Sequence, residues 1–199
     1  MTDPNRTWEW DQKFPAMWTI DTDETLQDYQ WASVFRRNAH HPDGRSHDFL
    51  LLNCKDWVQC VALTPKKELV LVSQYRAGSN ELTLELPGGS VDAGETAEQA
   101  LYRELREESG YAGCYPIHLY TSYPNPAMQT NRVYFYLLTQ CEKLYDTQFD
   151  PDEDLATYLL PIDQLDNAIT NNTFQHTITL TGLLLFQRWL KKHPELSNE

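Results

Sequence analysis

Residues 86–111 read LPGGSVDAGETAEQALYRELREESGY, a glycine-rich loop running into a helix with clear ends. Thr96 followed three residues later by Gln99 has the form of a capping box, and Gly110 supplies the stop. The helix predicted over about 97–109 carries its acids on an unexpected side. At about 100° per residue from Ala97, the apolar residues Ala100, Leu101 and Leu105 span about −60° to +80°. That arc must face a core. Glu104, Glu107 and Glu108 fall at about −20°, −80° and +20°, inside or beside the same arc, while Gln99, Tyr102 and Arg106 take the far side. Three acids at i, i+3 and i+4 repel one another, and turning them inward is costly unless cations pair with them. A hard divalent ion, which prefers oxygen ligands and is commonly shared between carboxylates and substrate phosphates, accounts for the arrangement.

The same stretch resembles the Nudix box: G, five residues, E, seven residues, R-E, a bulky apolar residue, any residue, E-E, any residue, G and an apolar residue. Here these positions are Gly89, Glu95, Arg103, Glu104, Leu105, Glu107, Glu108, Gly110 and Tyr111, the last an aromatic at an apolar place. The resemblance implies a hydrolase of nucleoside diphosphates linked to another group, with a loop–helix–loop metal site. It implies magnesium, with manganese as the alternative, held by Glu104, Glu107, Glu108 and the backbone carbonyl of Gly88. Glu107 and Glu108 would serve the reaction, Arg103 would orient the carboxylates, and Glu95 would support them from outside.

Outward from the box, short β-favouring runs at 31–37 and 48–52 flank the turn-rich HHPDGRS, which reads as a hairpin. A second hairpin is predicted from 57–63 and 68–75 around TPKK, with further strands at 82–86, 132–138 and 156–160. Helices are predicted at 162–170 and 176–192. Residues 1–30 yield no assignment. The expected fold class is α+β, or mixed α/β; the resemblance makes it a Nudix-type α/β/α sandwich with a mixed sheet and an N-terminal β-hairpin extension. Residues 1–55 are expected to form that extension, with strands that build a homodimer, and 56–199 the hydrolase domain.

Three features resemble the ADP-ribose and nucleotide-sugar pyrophosphatases. The run VLVSQYRAGSNELTLELPGG makes Arg76 a candidate phosphate or ribose contact and Glu85 a candidate site residue. Pro126, 15 residues beyond Tyr111, lies in SYPNPAMQTNR, whose Asn125 and Asn131 are amides suited to reading a sugar. The third is the N-terminal hairpin region itself. In that subgroup a carboxylate on a later loop activates water, and the acidic residues Asp150, Asp152, Glu153 and Asp154 stand at the corresponding place; Glu153 is favoured. Two other readings stay open: a Nudix hydrolase of nucleoside triphosphates, dinucleoside polyphosphates or capped RNA, and a non-catalytic Nudix ligand sensor. A sensor is expected to lose box glutamates, and all are present.

The 199 residues carry 16 basic and 29 acidic side chains, a net charge of −13. Such a field repels polyanions, so a stable nucleic-acid partner is not expected and a bound phosphate must be neutralised by cations. With 41% apolar residues the chain can bury a core. It has no apolar run of membrane-spanning length and no signal-peptide pattern. Cys54, Cys60, Cys114 and Cys141 lack metal or disulfide spacing and read as free thiols of a reducing compartment, which points to the cytoplasm.

Overall fold

The strands β4 (Trp57–Leu63) and β5 (Glu68–Arg76) form a hairpin that comes apart almost at once. Their paired residues are Ala62 with Val70 and Leu63 with Leu69, next to the turn. Beyond them the box loop takes the place beside β4: Cys60 N donates to Pro87 O and Val58 N to Gly89 O, at 2.8 and 2.9 Å. β6 (Glu81–Glu85) meanwhile pairs with the far half of β5, from Val72–Glu85 to Arg76–Glu81. A glycine is required in this loop, because a Cβ on Gly88 would collide with the Val58 carbonyl. This computed structural model describes residues 15–149 and 154–194.

The chain divides into two compact units, Met1–Asn53 and Cys54–Glu199. In the second, the sheet runs β11 (Ala156–Pro161), β5, β4, β9 (Val133–Leu138), β8 (Ile117–Ser122), with β6 on β5. β4 and β9 are parallel and the other pairs antiparallel, so the sheet is mixed. Both faces are covered, which explains why β4 is apolar at every position but Gln59. Val58, Cys60 and Ala62 join Leu101 and Leu105 of helix α1 (Ala97–Ser109) in one core cluster. Val61 and Leu63 join Leu183 and Phe186 of helix α3 (Thr177–Leu190) in the other. Burying side chains of that size contributes about 1.5–3 kcal/mol each. The result is the α/β/α sandwich expected from the sequence.

α1 occupies the predicted residues, with Thr96 and Gln99 capping each other and Gly110 left-handed at φ 75°. The region 162–170 is a 3₁₀ turn, Ile162–Gln164, leading into α2 (Leu165–Thr170). Two short strands, β7 (Tyr111–Ala112) and β10 (Glu142–Lys143), pair just after α1. Among the described residues the first unit holds the expected hairpin, β2 (Ala32–His40) and β3 (Ser46–Cys54), and adds a third strand, β1 (Thr19–Asp28), beside β2. β1, TIDTDETLQD, is exposed at every position and so lacks the apolar alternation that marks a strand. Its side chains pair across the ladder instead, Asp23 with Arg37, Glu24 with Arg36 and Asp21 with His40. β8 also went unpredicted, since IHLYTS has no fully buried residue. Among the described residues no helix is long and apolar enough to cross a membrane, and the four cysteines are free thiols.

Candidate active site

A cleft of about 510 Å³ opens where β4 and β5 separate, walled by the box loop and one side of α1. The helix turns toward it as the angular pattern requires. Ala100, Leu101 and Leu105 are buried in the core, Gln99, Tyr102 and Arg106 are exposed, and Glu108 is only 2% exposed. Glu104, Glu107 and Glu108 all line the cleft.

Arg103 gathers the acids. Its Nε and Nη2 donate to the two oxygens of Glu95 at 3.0 and 2.9 Å. Nη1 donates to Glu104 at 2.8 Å and reaches Glu107 at 3.4 Å, while Nη2 also caps the Ser90 carbonyl at 2.9 Å. The Arg103 guanidinium holds the Glu95 carboxyl below the usual carboxylate range despite some opposing burial. Glu108 accepts the Gly88 N–H at 2.8 Å, which fixes the loop against the helix C-terminal turn. At Gly89 an added Cβ would lie 2.5 Å from the Glu104 carboxylate, so a side chain there would displace that acid.

On the opposite wall stands Arg76, whose Nε and Nη2 donate to Glu85 at 2.7 Å each. Glu85 is wholly buried behind it and also accepts from Thr83 at 2.5 Å. Burial alone would raise this carboxyl, but the bonds from Arg76, His176 and Thr83 outweigh it and bring the pKa down to about 2.

Arg76, Gly88, Arg103, Glu104, Glu107 and Glu108, all singled out in the sequence, thus share one cleft. Asn125 and Asn131 do not line it. Asn125 is exposed, its carbonyl accepting from Met128 and Gln129 in the turn before β9. Asn131 is buried, with no hydrogen-bond partner for either amide atom. Glu153 and its neighbours Asp150 and Asp152 lie outside the described residues; Gln148, at the near end of that loop, lines the cleft and donates its N–H to the Glu107 carbonyl at 2.9 Å.

The sequence reading missed Lys55, Gln59 and His176, which also line the cleft. Gln59 was the most legible, being a polar residue inside the apolar strand WVQCVAL and therefore in need of a partner; its amide donates to the Leu86 carbonyl at 3.3 Å. Lys55 precedes β4 and is paired with Asp92 at 2.8 Å. His176 belongs to no motif.

The donor set suits a hard cation: three carboxylates and the loop carbonyls, with no sulfur or imidazole among them. As the side chains stand, no three acids, histidines or cysteines among the described residues converge on one point. Glu104 and Glu107 share the Arg103 Nη1 instead, so the two lie close enough to be drawn together.

Residues 56–183 match the NUDIX domain model, and the chain belongs to the Nudix family, whose members generally use divalent metal ions. It is 61% identical over 46 residues to the putative nudix hydrolase 2 of Caenorhabditis elegans, covering 23% of this chain and 21% of that one. It is 26% identical over 121 residues to the ADP-ribose pyrophosphatase of Bacillus subtilis, covering 60% and 65% of the two chains. The matched stretches thus span from about a fifth to just under two thirds of these relatives' lengths. A solved structure described as an ADP compounds hydrolase shares the fold, with a TM-score of 0.79 at 20% identity over 92% of this chain and 98% of the other.

Proposed function

We propose that this protein hydrolyses the pyrophosphate bond of a nucleoside diphosphate linked to a sugar, ADP-ribose or another nucleotide sugar, giving a nucleoside monophosphate and a sugar phosphate. The observation that carries the reading is the inward turn of the three box glutamates into a cleft whose other wall bears Arg76. The named activity of the Bacillus subtilis relative favours the ADP-ribose class.

Magnesium, or manganese in its place, is the cation proposed, held by Glu104, Glu107, Glu108 and the Gly88 carbonyl. When bound, a divalent cation neutralises the diphosphate oxygens and polarises phosphorus. Arg103 keeps the acids together against their mutual repulsion. Arg76 contacts the phosphate or ribose from the opposite wall, backed by Glu85. Glu153 takes the proton from the attacking water; the reach of Gln148 into the cleft supports a role for this loop. Asn125 and Asn131, expected to read the sugar, stand outside the cleft and are assigned no contact in this reading. Residues 1–55 are proposed to form the interface of a homodimer, supported by the exposed Ile20, Leu26, Trp31 and Leu50.

The test is a panel of nucleotides assayed with magnesium for released monophosphates. Cleavage of ADP-ribose or nucleotide sugars but not triphosphates is expected. Cleavage of triphosphates alone would overturn the substrate class, and a wholly inactive protein would favour a ligand sensor.

A further inference from the structure

His176 sits in extended backbone at the N-cap of α3, outside the box. Its Nδ1 lies 3.0 Å from Glu85 Oε2 and 3.2 Å from Thr179 Oγ1. Both neighbours act as acceptors. The Glu85 carboxyl, held ionised, has no hydrogen to give. The single Thr179 hydroxyl hydrogen is directed at Gln59 Oε1, 3.3 Å away, while the Leu86 N–H donates to Thr179 Oγ1 at 3.3 Å. Nδ1 therefore carries a hydrogen, and the ring is fixed with that edge inward.

The fully buried carboxylate of Glu85 thus receives four bonds from three elements: two from Arg76 on β5, one from Thr83 on β6 and one from His176 beside α3. Arg76 and His176 both line the main cleft and also a second, smaller cavity of about 330 Å³, formed around the β5–β6 turn. Together they make the wall between the two spaces. Without the histidine the carboxylate would be held from the β5–β6 side only, and the guanidinium clamped to it would lose its tie to α3.

We propose that His176 is a positioning residue: by completing the donor set of Glu85 it fixes the Arg76 guanidinium at the angle needed to bind a nucleoside diphosphate. This rests on the functional reading above, in which Arg76 meets the substrate.

The test compares His176→Leu, which removes the donor, with His176→Asn, whose side-chain amide nitrogen stands the same number of bonds from Cα as Nδ1. Binding of ADP is measured by calorimetry, and kinetics with ADP-ribose give KM and kcat separately. His176→Leu is expected to weaken ADP binding and raise KM about tenfold, as for loss of one bond to a charged group, with kcat within a few-fold of wild type. His176→Asn should restore both constants to within a few-fold. Unchanged ADP binding in His176→Leu, an effect confined to kcat, or an Asn variant as defective as Leu would each overturn the proposal, as would a wild-type protein that does not bind ADP. Should the Leu variant not fold, His176→Phe, a ring without the donor, takes its place and the same outcomes decide. A wild-type protein that binds ADP with this dependence on His176 but cleaves no nucleotide sugar would contradict the hydrolase reading alone.

Discussion

Arginines face carboxylates in two places in this molecule, with different consequences. Along β1 and β2, Arg36 and Arg37 meet Glu24 and Asp23 one to one across an exposed ladder. Around α1, Arg103 meets Glu95, Glu104 and Glu107 and Arg106 reaches Glu107 at 3.7 Å, with a fourth acid, Glu108, buried beside them. In the sheet each charge has its match and water on one side, so little is gained by either partner. Around α1 the acids outnumber the arginines, an excess that under the proposed function is met by a bound divalent cation. Arg76 and Glu85 stand between the two cases, a one-to-one pair with its carboxylate end sealed from water. The lesson is that burial and stoichiometry, rather than residue type, separate an ion pair that holds a strand from one that prepares a site.

Neutralising one of the excess acids should have the largest effect. Glu108→Gln keeps an acceptor for the Gly88 N–H, so the melting temperature is expected near wild type while kcat falls by about 10²–10³-fold, the size typical of losing one electrostatic contact in a reaction centre. Next comes the sealed pair. Glu85→Gln leaves Arg76 without its counter-charge and is expected to cost about 2 kcal/mol by denaturant unfolding. The depressed carboxyl also sets a pH window. Its folded pKa of about 2 lies below its ordinary 4.5, so the stability it contributes is complete above about pH 4.5 and is lost as the pH falls toward 2. The variant should lack this part of the acid-side decline; an identical decline would remove Glu85 from the account. The smallest effect belongs to the sheet, where Arg37→Leu should leave the melting temperature unchanged within error. A large drop there would dissolve the contrast between the two regions.

Legibility in the sequence followed the same physics. α1 and β4 were readable because burial imposes a pattern on them, a 3.6 period for the helix and an apolar run broken only by Gln59 for the strand. The box acids were readable because they violated that period. β1 was invisible, since its neighbours across the ladder are charges and an exposed strand carries no alternation. Lys55 and His176 reach the cleft through the splaying of β4 from β5 and the approach of α3, tertiary events that leave no local mark, whereas Gln59 is marked only as a polar residue in an apolar strand. Gly182 shows how close that approach is: a Cβ there would lie 2.7 Å from Leu86, at the entrance to the box. Glu85, expected as a site residue, faces the protein interior and reaches the cleft only through Arg76 and His176.

The central claim is that Glu104, Glu107 and Glu108 are gathered as ligands for a divalent cation. Manganese titration followed by electron paramagnetic resonance tests it directly, comparing the intact protein with the Glu104→Gln, Glu107→Gln, Glu108→Gln triple variant. The account predicts saturable binding in the first and its loss in the second, with both proteins folded by circular dichroism. Equal binding by the two, or none by either in the presence of ADP, would contradict it.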